Sequence, residues 1–409
     1  MTAQPTASTS SPTAPAHVPP ELVIPFSFHD QPGMDVDPYA VYAALRDMPR
    51  AFYTFSYNQR PNGAWVLTRA EDIRAAYQTP DLFSSKGGAG FFQLAGEDWD
   101  MIPLELDPPE HTAYRALLNP IFAPAKINAL EAGVRETAIG LIDALAAKQG
   151  CEFMTSFGRP FPISVFLRLL GLPQDEMPRF VAWEVELLHS PTRAEQAAGA
   201  RKIIDYLLSA IEDRRRNPRD DLITHCIRSE VGGRKLIASE IIGICFLLYV
   251  GGLDTVASTL GFFFKHLAEN PEAQMALRND RSMIPNAIEE MLRAFAVVIS
   301  HRQLTRDTEF AGVAMKRGEW VMLGDMIANR DPHEFPNPDT LDFKRSPNRH
   351  VTFAFGPHRC VGSHLARREF TVALNEWFDR VPPFSIAPGS RPVTHGAPVL
   401  GVDELKLVW

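Results

Sequence analysis

From residue 111 to about residue 248, apolar residues recur at three- and four-residue spacing, the mark of helices that each bury one stripe. The chain is therefore expected to be mainly helical. Asn217-Pro218-Arg219-Asp220-Asp221 breaks that run between two helices. Upstream, 39–45 reads as a short helix, 65–68 as a strand, and 69–73 as the start of another helix. Residues 87–109 form an irregular loop around Phe91-Phe92, closed by Pro108-Pro109, which pre-set a helix start. Strands return late: 308–315 and 319–323 flank Lys316-Arg317-Gly318, which predicts a hairpin turning there, and 405–409 reads as a terminal strand.

One stretch resists a simple reading. Positions 241–264 carry a single charge, Asp254, so a hydropathy window would flag a membrane span. A carboxylate and Thr255 at mid-depth are costly in lipid, however, and neither a second span nor a basic flank accompanies them. The stretch is expected to be a helix through the middle of a globule, apolar all round because it is buried all round. At 1.5 Å per residue it would be roughly 45 Å long.

The 409 residues are 45% hydrophobic with no long linker, which fits one large domain over 21–409. Residues 1–20, mostly Ala, Ser, Thr and Pro, read as a disordered tail without the basic start or apolar core of a signal peptide. A net charge of −8 argues against nucleic acid as a partner. The four cysteines lack paired spacing and suit a reducing cytoplasm, with no membrane attachment expected.

The most informative chemistry lies in Phe353-Ala-Phe-Gly356-Pro-His358-Arg-Cys360-Val-Gly362, just before a run of helix formers. Two glycines permit a tight turn, backbone amides can point at the sulfur, and the following helix N-terminus favours a thiolate. Taken by itself, Cys360 could also be a buried structural cysteine or, with His358 and His364, part of a zinc site. The stretch resembles the heme-binding loop of the cytochrome P-450 superfamily, F-x-x-G-x-x-x-C-x-G. That resemblance implies the cytochrome P-450 fold, a large helical domain with a small β-rich region and a long helix over the heme. It also implies heme b with Cys360 as the axial iron ligand.

Other positions carry the same likeness. Gly251-Gly-Leu-Asp254-Thr255 resembles the family's oxygen-binding groove, which implies that a helix bulge admits dioxygen and that Asp254 and Thr255 deliver protons. Glu290-Met-Leu-Arg293 matches E-x-x-R, a structural pair. His111 and Arg115 (H-x-x-x-R), Arg302 and His358 match the positions that hold the heme propionates. Asp107-Pro-Pro-Glu110, His364-Leu-Ala-Arg-Arg-Glu369 and the terminal Leu-Val-Trp409 sharpen the resemblance to the bacterial camphor 5-monooxygenase family. It implies electrons from a 2Fe–2S ferredoxin served by an NADH-dependent flavoprotein reductase, with Arg74, Arg115, Arg367 and Arg368 as candidates for docking.

The departures bear on substrate. Trp99 stands where that family has a tyrosine that hydrogen-bonds the ketone, and Leu104 replaces a threonine. Leu247, Val250, Val298 and Val399 complete an aliphatic wall. Since a methylene is worth ~1–3 kcal/mol, these changes are enough to move the preference from camphor to another cyclic terpenoid or norisoprenoid, such as an ionone. A peroxide-driven peroxygenase and a non-catalytic heme-thiolate ligand sensor are the alternatives. The Asp254-Thr255 pair argues against the first and is unnecessary to the second.

Overall fold

A computed structural model describes residues 14–29, 31–55, 63–396 and 399–409. The helical expectation holds for 111–248, where seven-residue and longer helices follow one another. The longest of these are Pro124–Ala146, with Ile127, Val134, Ala138, Ile142 and Leu145 buried along one stripe, and Arg193–Arg216. Asp221 caps the helix Leu222–Arg228 through Thr224 N at 2.8 Å, so the expected break is a capped helix start.

The apolar stretch is one helix, Ala238–Glu269, long and apolar enough to cross a membrane yet buried among other helices. It serves two hydrophobic clusters. Phe246, Tyr249 and Leu253 pack with elements before it, and Val256, Leu260 and Phe264 pack with elements from both sides of it in the chain. At the start, Glu240 takes hydrogen bonds from Tyr114, Arg234 and the Ile237 amide, closing the first turn. The expected bulge is not in the helix assignment, which runs unbroken through Gly251 and Gly252. Phe263 meets Phe370 of helix Ser363–Arg380 with ring centroids 5.1 Å apart, which fixes the helix that follows the cysteine loop against the long one.

Five strands form a sheet in the order Ala51–Thr54, Ala64–Leu67, Trp320–Gly324, Ile299–Leu304, Phe83–Ser84. The hairpin expected at Lys316-Arg317-Gly318 is corrected here. Thr308–Phe310 pairs with Val313–Met315 around Ala311 and Gly312, while Trp320–Gly324 runs antiparallel to Ile299–Leu304. Both turn residues have positive φ, 51° and 82°, the geometry that suits a two-residue hairpin. An alanine in that position leaves no sequence signal. Of the expected tail, residues 1–13 lie outside the described residues, while in 14–20 Val18 is buried and His17 Nε2 lies 3.1 Å from Glu319.

Glu290 and Arg293 are fully buried and bidentate at 2.7 and 2.9 Å. Arg345, Asn348 and the Asp342 amide also donate to Glu290, and Arg293 donates to the carbonyls of Asn329 and Pro338. With every lone pair and proton used, the buried pair ties the helix Ile284–Ala294 to the 329–348 connection.

Candidate active site

Cys360 lies between the short turn Gly356–His358 and the helix Ser363–Arg380. Gly356 has φ 68°, and an added Cβ would sit 2.5 Å from the Tyr77 carbonyl oxygen, so only glycine fits. The Cys360 amide donates to the Phe353 carbonyl at 2.8 Å, which closes the loop. The Gly362 amide hydrogen-bonds the sulfur, as expected from the motif, and Arg115, Arg367 and Arg359 add positive charge. Burial is the larger influence and pushes the thiol up. A coordinated metal ion would remove that cost, because it deprotonates a bound thiol outright. Although burial dominates its electrostatics, Cys360 keeps accessible surface.

The long helix is open as well. Gly251 is exposed in the middle of an otherwise buried helix. A Cβ there would meet only Leu247 Cδ1 at 3.9 Å, and one at Gly252 would meet nothing within 4 Å. Thr255 Oγ1 donates to the Gly251 carbonyl at 2.7 Å, so its hydroxyl is held over that same turn. Val361, next to Cys360, packs on the hydrophobic cluster that includes Leu253, next to Asp254.

The four basic residues expected around one group do come together. His111 and Arg115 share a face of the helix Glu110–Leu118. The His111 ring lies 4.0 Å, centroid to centroid, from His358, whose Nε2 is 3.2 Å from Ser85 Oγ. Arg302, on strand Ile299–Leu304, is buried and stacks over Tyr77 at 5.4 Å. Arg115 donates to the Arg359 carbonyl at 2.5 Å. Burial, followed by the Arg115 charge, lowers His111 to about 4, and burial with Arg302 lowers His358 to about 2. Both ring nitrogens of His111 are buried without a hydrogen-bond partner. Two arginines and two neutral imidazoles facing one another are a poor arrangement alone and a good one around two carboxylates. The residues fit a heme carrying two propionates. Among the described residues, no metal-binding group joins Cys360 to His358 and His364, which leaves the zinc reading unsupported.

Trp99, Leu247 and Val250 border one hydrophobic cluster, and Trp99 packs on Phe92 with centroids 5.7 Å apart. The Trp99 loop is braced by buried Glu105, which accepts from the Ala89 and Met101 amides at 2.8 and 2.9 Å. Val298 and Val399 border the other cluster and pair in an isolated β-bridge. Leu104 belongs to neither cluster and is 39% exposed.

Sequence reasoning missed the surroundings of Asp254. Ser258 Oγ approaches Asp254 Oδ1 at 3.5 Å. His189 Nε2 lies 3.6 Å from Asp254 Oδ1 and 3.8 Å from Glu184 Oε1. Burial works against a charged imidazole, yet the two carboxylates outweigh it and raise His189 to about 10, while burial raises Glu184. Beyond them, the His395 ring sits 5.6 Å from the His189 ring, and its Nδ1 is 3.0 Å from Asp403 Oδ1. No motif marks these residues, which come from four separate elements.

A long helix with a helix-start thiol below it, and cations gathered for two carboxylates, define the class: a heme protein with a cysteine ligand. The family profile described as Cytochrome P450 matches residues 174–381. The chain is 43% identical over 401 residues to "Probable cytochrome P450 127A1" of Sinorhizobium fredii (strain NBRC 101917 / NGR234), covering 97% of this chain and 96% of that one. It superposes on the crystal structure of cytochrome P450 CYP101C1 with a TM-score of 0.88 at 34% identity, covering 97% of this chain and 100% of that one. The crystal structure of CYP101J2 follows at TM-score 0.87 and 33% identity, with 97% and 99% covered.

The chain belongs to the cytochrome P450 family. It has the mainly helical fold of that family and is a P450 monooxygenase, an enzyme class that binds heme through an axial cysteine thiolate.

Proposed function

We propose that this P450 hydroxylates a small hydrophobic cyclic substrate, a terpenoid or an ionone-like norisoprenoid rather than camphor. Electrons would come from a 2Fe–2S ferredoxin and its NADH-dependent reductase, in the cytoplasm. When bound, heme with a thiolate ligand supplies the dioxygen-cleaving chemistry. Cys360 holds the iron, and Arg115, Arg302, His111 and His358 hold the propionates. Trp99, Leu247, Val250, Val298 and Val399 form the apolar wall, with Leu104 at its outer edge. Asp254 passes protons inward and the Thr255 hydroxyl is the last hydrogen-bond donor on that path.

The observation that carries the reading is the pairing of an amide-supported Cys360 with the open turn at Gly251 and Gly252. The acid–alcohol pair at Asp254 and Thr255 favours a monooxygenase over a peroxygenase or a sensor. None of the four arginines considered for docking an acidic ferredoxin is a free surface charge: Arg115 donates to the Arg359 carbonyl and to Asn119 and is assigned to the propionates, and the other three pair with carboxylates. Arg74 pairs with Glu334 at 2.6 Å, Arg367 with Glu289 at 2.6 Å and Arg368 with Glu131 at 2.5 Å.

An optical titration of the purified ferric protein with β-ionone and, separately, with camphor tests the assignment. A Soret shift from low to high spin with ionone and a weak response to camphor is the expected result. An equal or stronger response to camphor would remove Trp99 and Leu104 as determinants of recognition.

A further inference from the structure

Glu184 lies within the helix Met177–His189 and His189 ends it, and the two cluster with Asp254 of the long helix. The Glu184 side chain is 1% exposed, and its Oε2 is buried with no hydrogen-bond partner. His189 Nε2 is likewise buried and makes no hydrogen bond that meets ordinary geometry. It instead sits between two carboxylate oxygens at 3.6 and 3.8 Å. All three ligand atoms lie within 4.8 Å of one another.

Those spacings suit a small cation. Zinc takes imidazole nitrogen and carboxylate oxygen at about 2.0–2.2 Å, which in a tetrahedral site places neighbouring ligand atoms about 3.3–3.6 Å apart. The two observed edges are within tenths of an ångström of that range. An ion would take the place of the His189 proton, which is released on binding, and would satisfy the unpartnered Glu184 oxygen while balancing the two buried carboxylates. Behind the cluster, Asp403 adds a third carboxylate beside His395, while Arg159 Nη2, at 4.0 Å from Asp403, is the nearby guanidinium. Mixed nitrogen and oxygen donors select a first-row transition ion over magnesium or calcium, which prefer oxygen alone.

We propose that Glu184, His189 and Asp254 form a binding site for one zinc-class divalent ion on the distal side of the long helix. Binding stands on this geometry alone. Its consequence rests on the proton-delivery role proposed for Asp254: an ion there ties up that carboxylate and arrests turnover.

Chelator-treated, tag-free, heme-loaded full-length protein is titrated calorimetrically with zinc chloride and with magnesium chloride. One zinc ion per chain and no magnesium response is the expected result. His189→Gln and Glu184→Gln should each weaken zinc binding by more than the roughly 10–100-fold that loss of an outer partner costs, with the Soret band unchanged. His225→Gln, at an exposed helix position, should leave it unchanged. Zinc-edge absorption on the wild-type complex should report one imidazole nitrogen with oxygen donors. Absent binding, equal binding by both variants, or a thiolate or several-histidine shell overturns the proposal. None of these readings depends on turnover or on the choice of substrate.

Discussion

On the cysteine side of the site, the hydrogen bonds that shape the thiol come from its own loop, through the Phe353 carbonyl, the Gly362 amide and the turn at Gly356, while Arg115 is the one charge brought from a distant helix. On the helix side, Asp254 is surrounded by Glu184 and His189 from one helix, Ser258 from its own, and His395 and Asp403 from two late strands. A short loop stabilises charge with fixed backbone dipoles, which need no distant partner. The helix side gathers side-chain charges, each placed by a different packing contact. Remote substitutions should therefore disturb Asp254 far more readily than Cys360.

The strongest attack on the comparison removes the local centre itself. Cys360→Ser should lose the thiolate-type spectrum of the reduced carbon monoxide complex and drop monooxygenase turnover below about 1% of wild type. A variant that kept both would show that the loop does not supply the iron ligand.

Next come substitutions on the helix side. Asp254→Asn should lower product formation by about 10²-fold, the low end of what a positioned proton donor contributes. Thr255→Ala should keep the substrate-induced spin shift while reducing equivalents are diverted to hydrogen peroxide. Product and peroxide measured together decide this. Unchanged coupling in both variants would remove the proton-delivery assignment.

The buried frame is third. Arg293→Ala strands Glu290 in the core, and breaking such a pair costs about 3–5 kcal/mol. Urea denaturation should show a clearly lower midpoint, and an unchanged midpoint would mean that Arg345 and Asn348 suffice to satisfy Glu290.

The smallest effect is a pH dependence. Burial works against charge on Glu289, but hydrogen bonds from Arg367 at 2.6 and 2.8 Å and a contact to His350 at 3.1 Å hold it down to about 2. A carboxyl lowered on folding adds stability above its unfolded value of about 4.3 and loses it as pH falls toward the folded value. Because Glu289 is one-third exposed, screening limits the gain to about 1 kcal/mol or less. The urea midpoints of wild type and Glu289→Gln should differ most at neutral pH and converge between about pH 4.5 and pH 2. A constant gap would contradict the assignment.

The cysteine loop, the buried long helix, the Glu290–Arg293 pair and the clustering of His111, Arg115, Arg302 and His358 were legible in the sequence by motif and periodicity. The expected turn at Lys316-Arg317-Gly318 is present, but the hairpin pairing expected around it was not correct, because the strand already turns back at Ala311, whose positive φ its side chain does not advertise. Arg367 and Arg368 were expected as candidates for docking, and only packing shows them held by Glu289 and Glu131.

What the sequence by itself determined is the chemistry that consecutive residues can build: a glycine-bounded turn aiming amides at one sulfur, and a helix whose apolar character permits only burial. What the tertiary structure alone decided is which distant groups share a volume. His189, Glu184, His395 and Asp403 acquire meaning beside Asp254 because two helices and two strands converge there, and a carboxylate's environment is set by distance in space rather than along the chain.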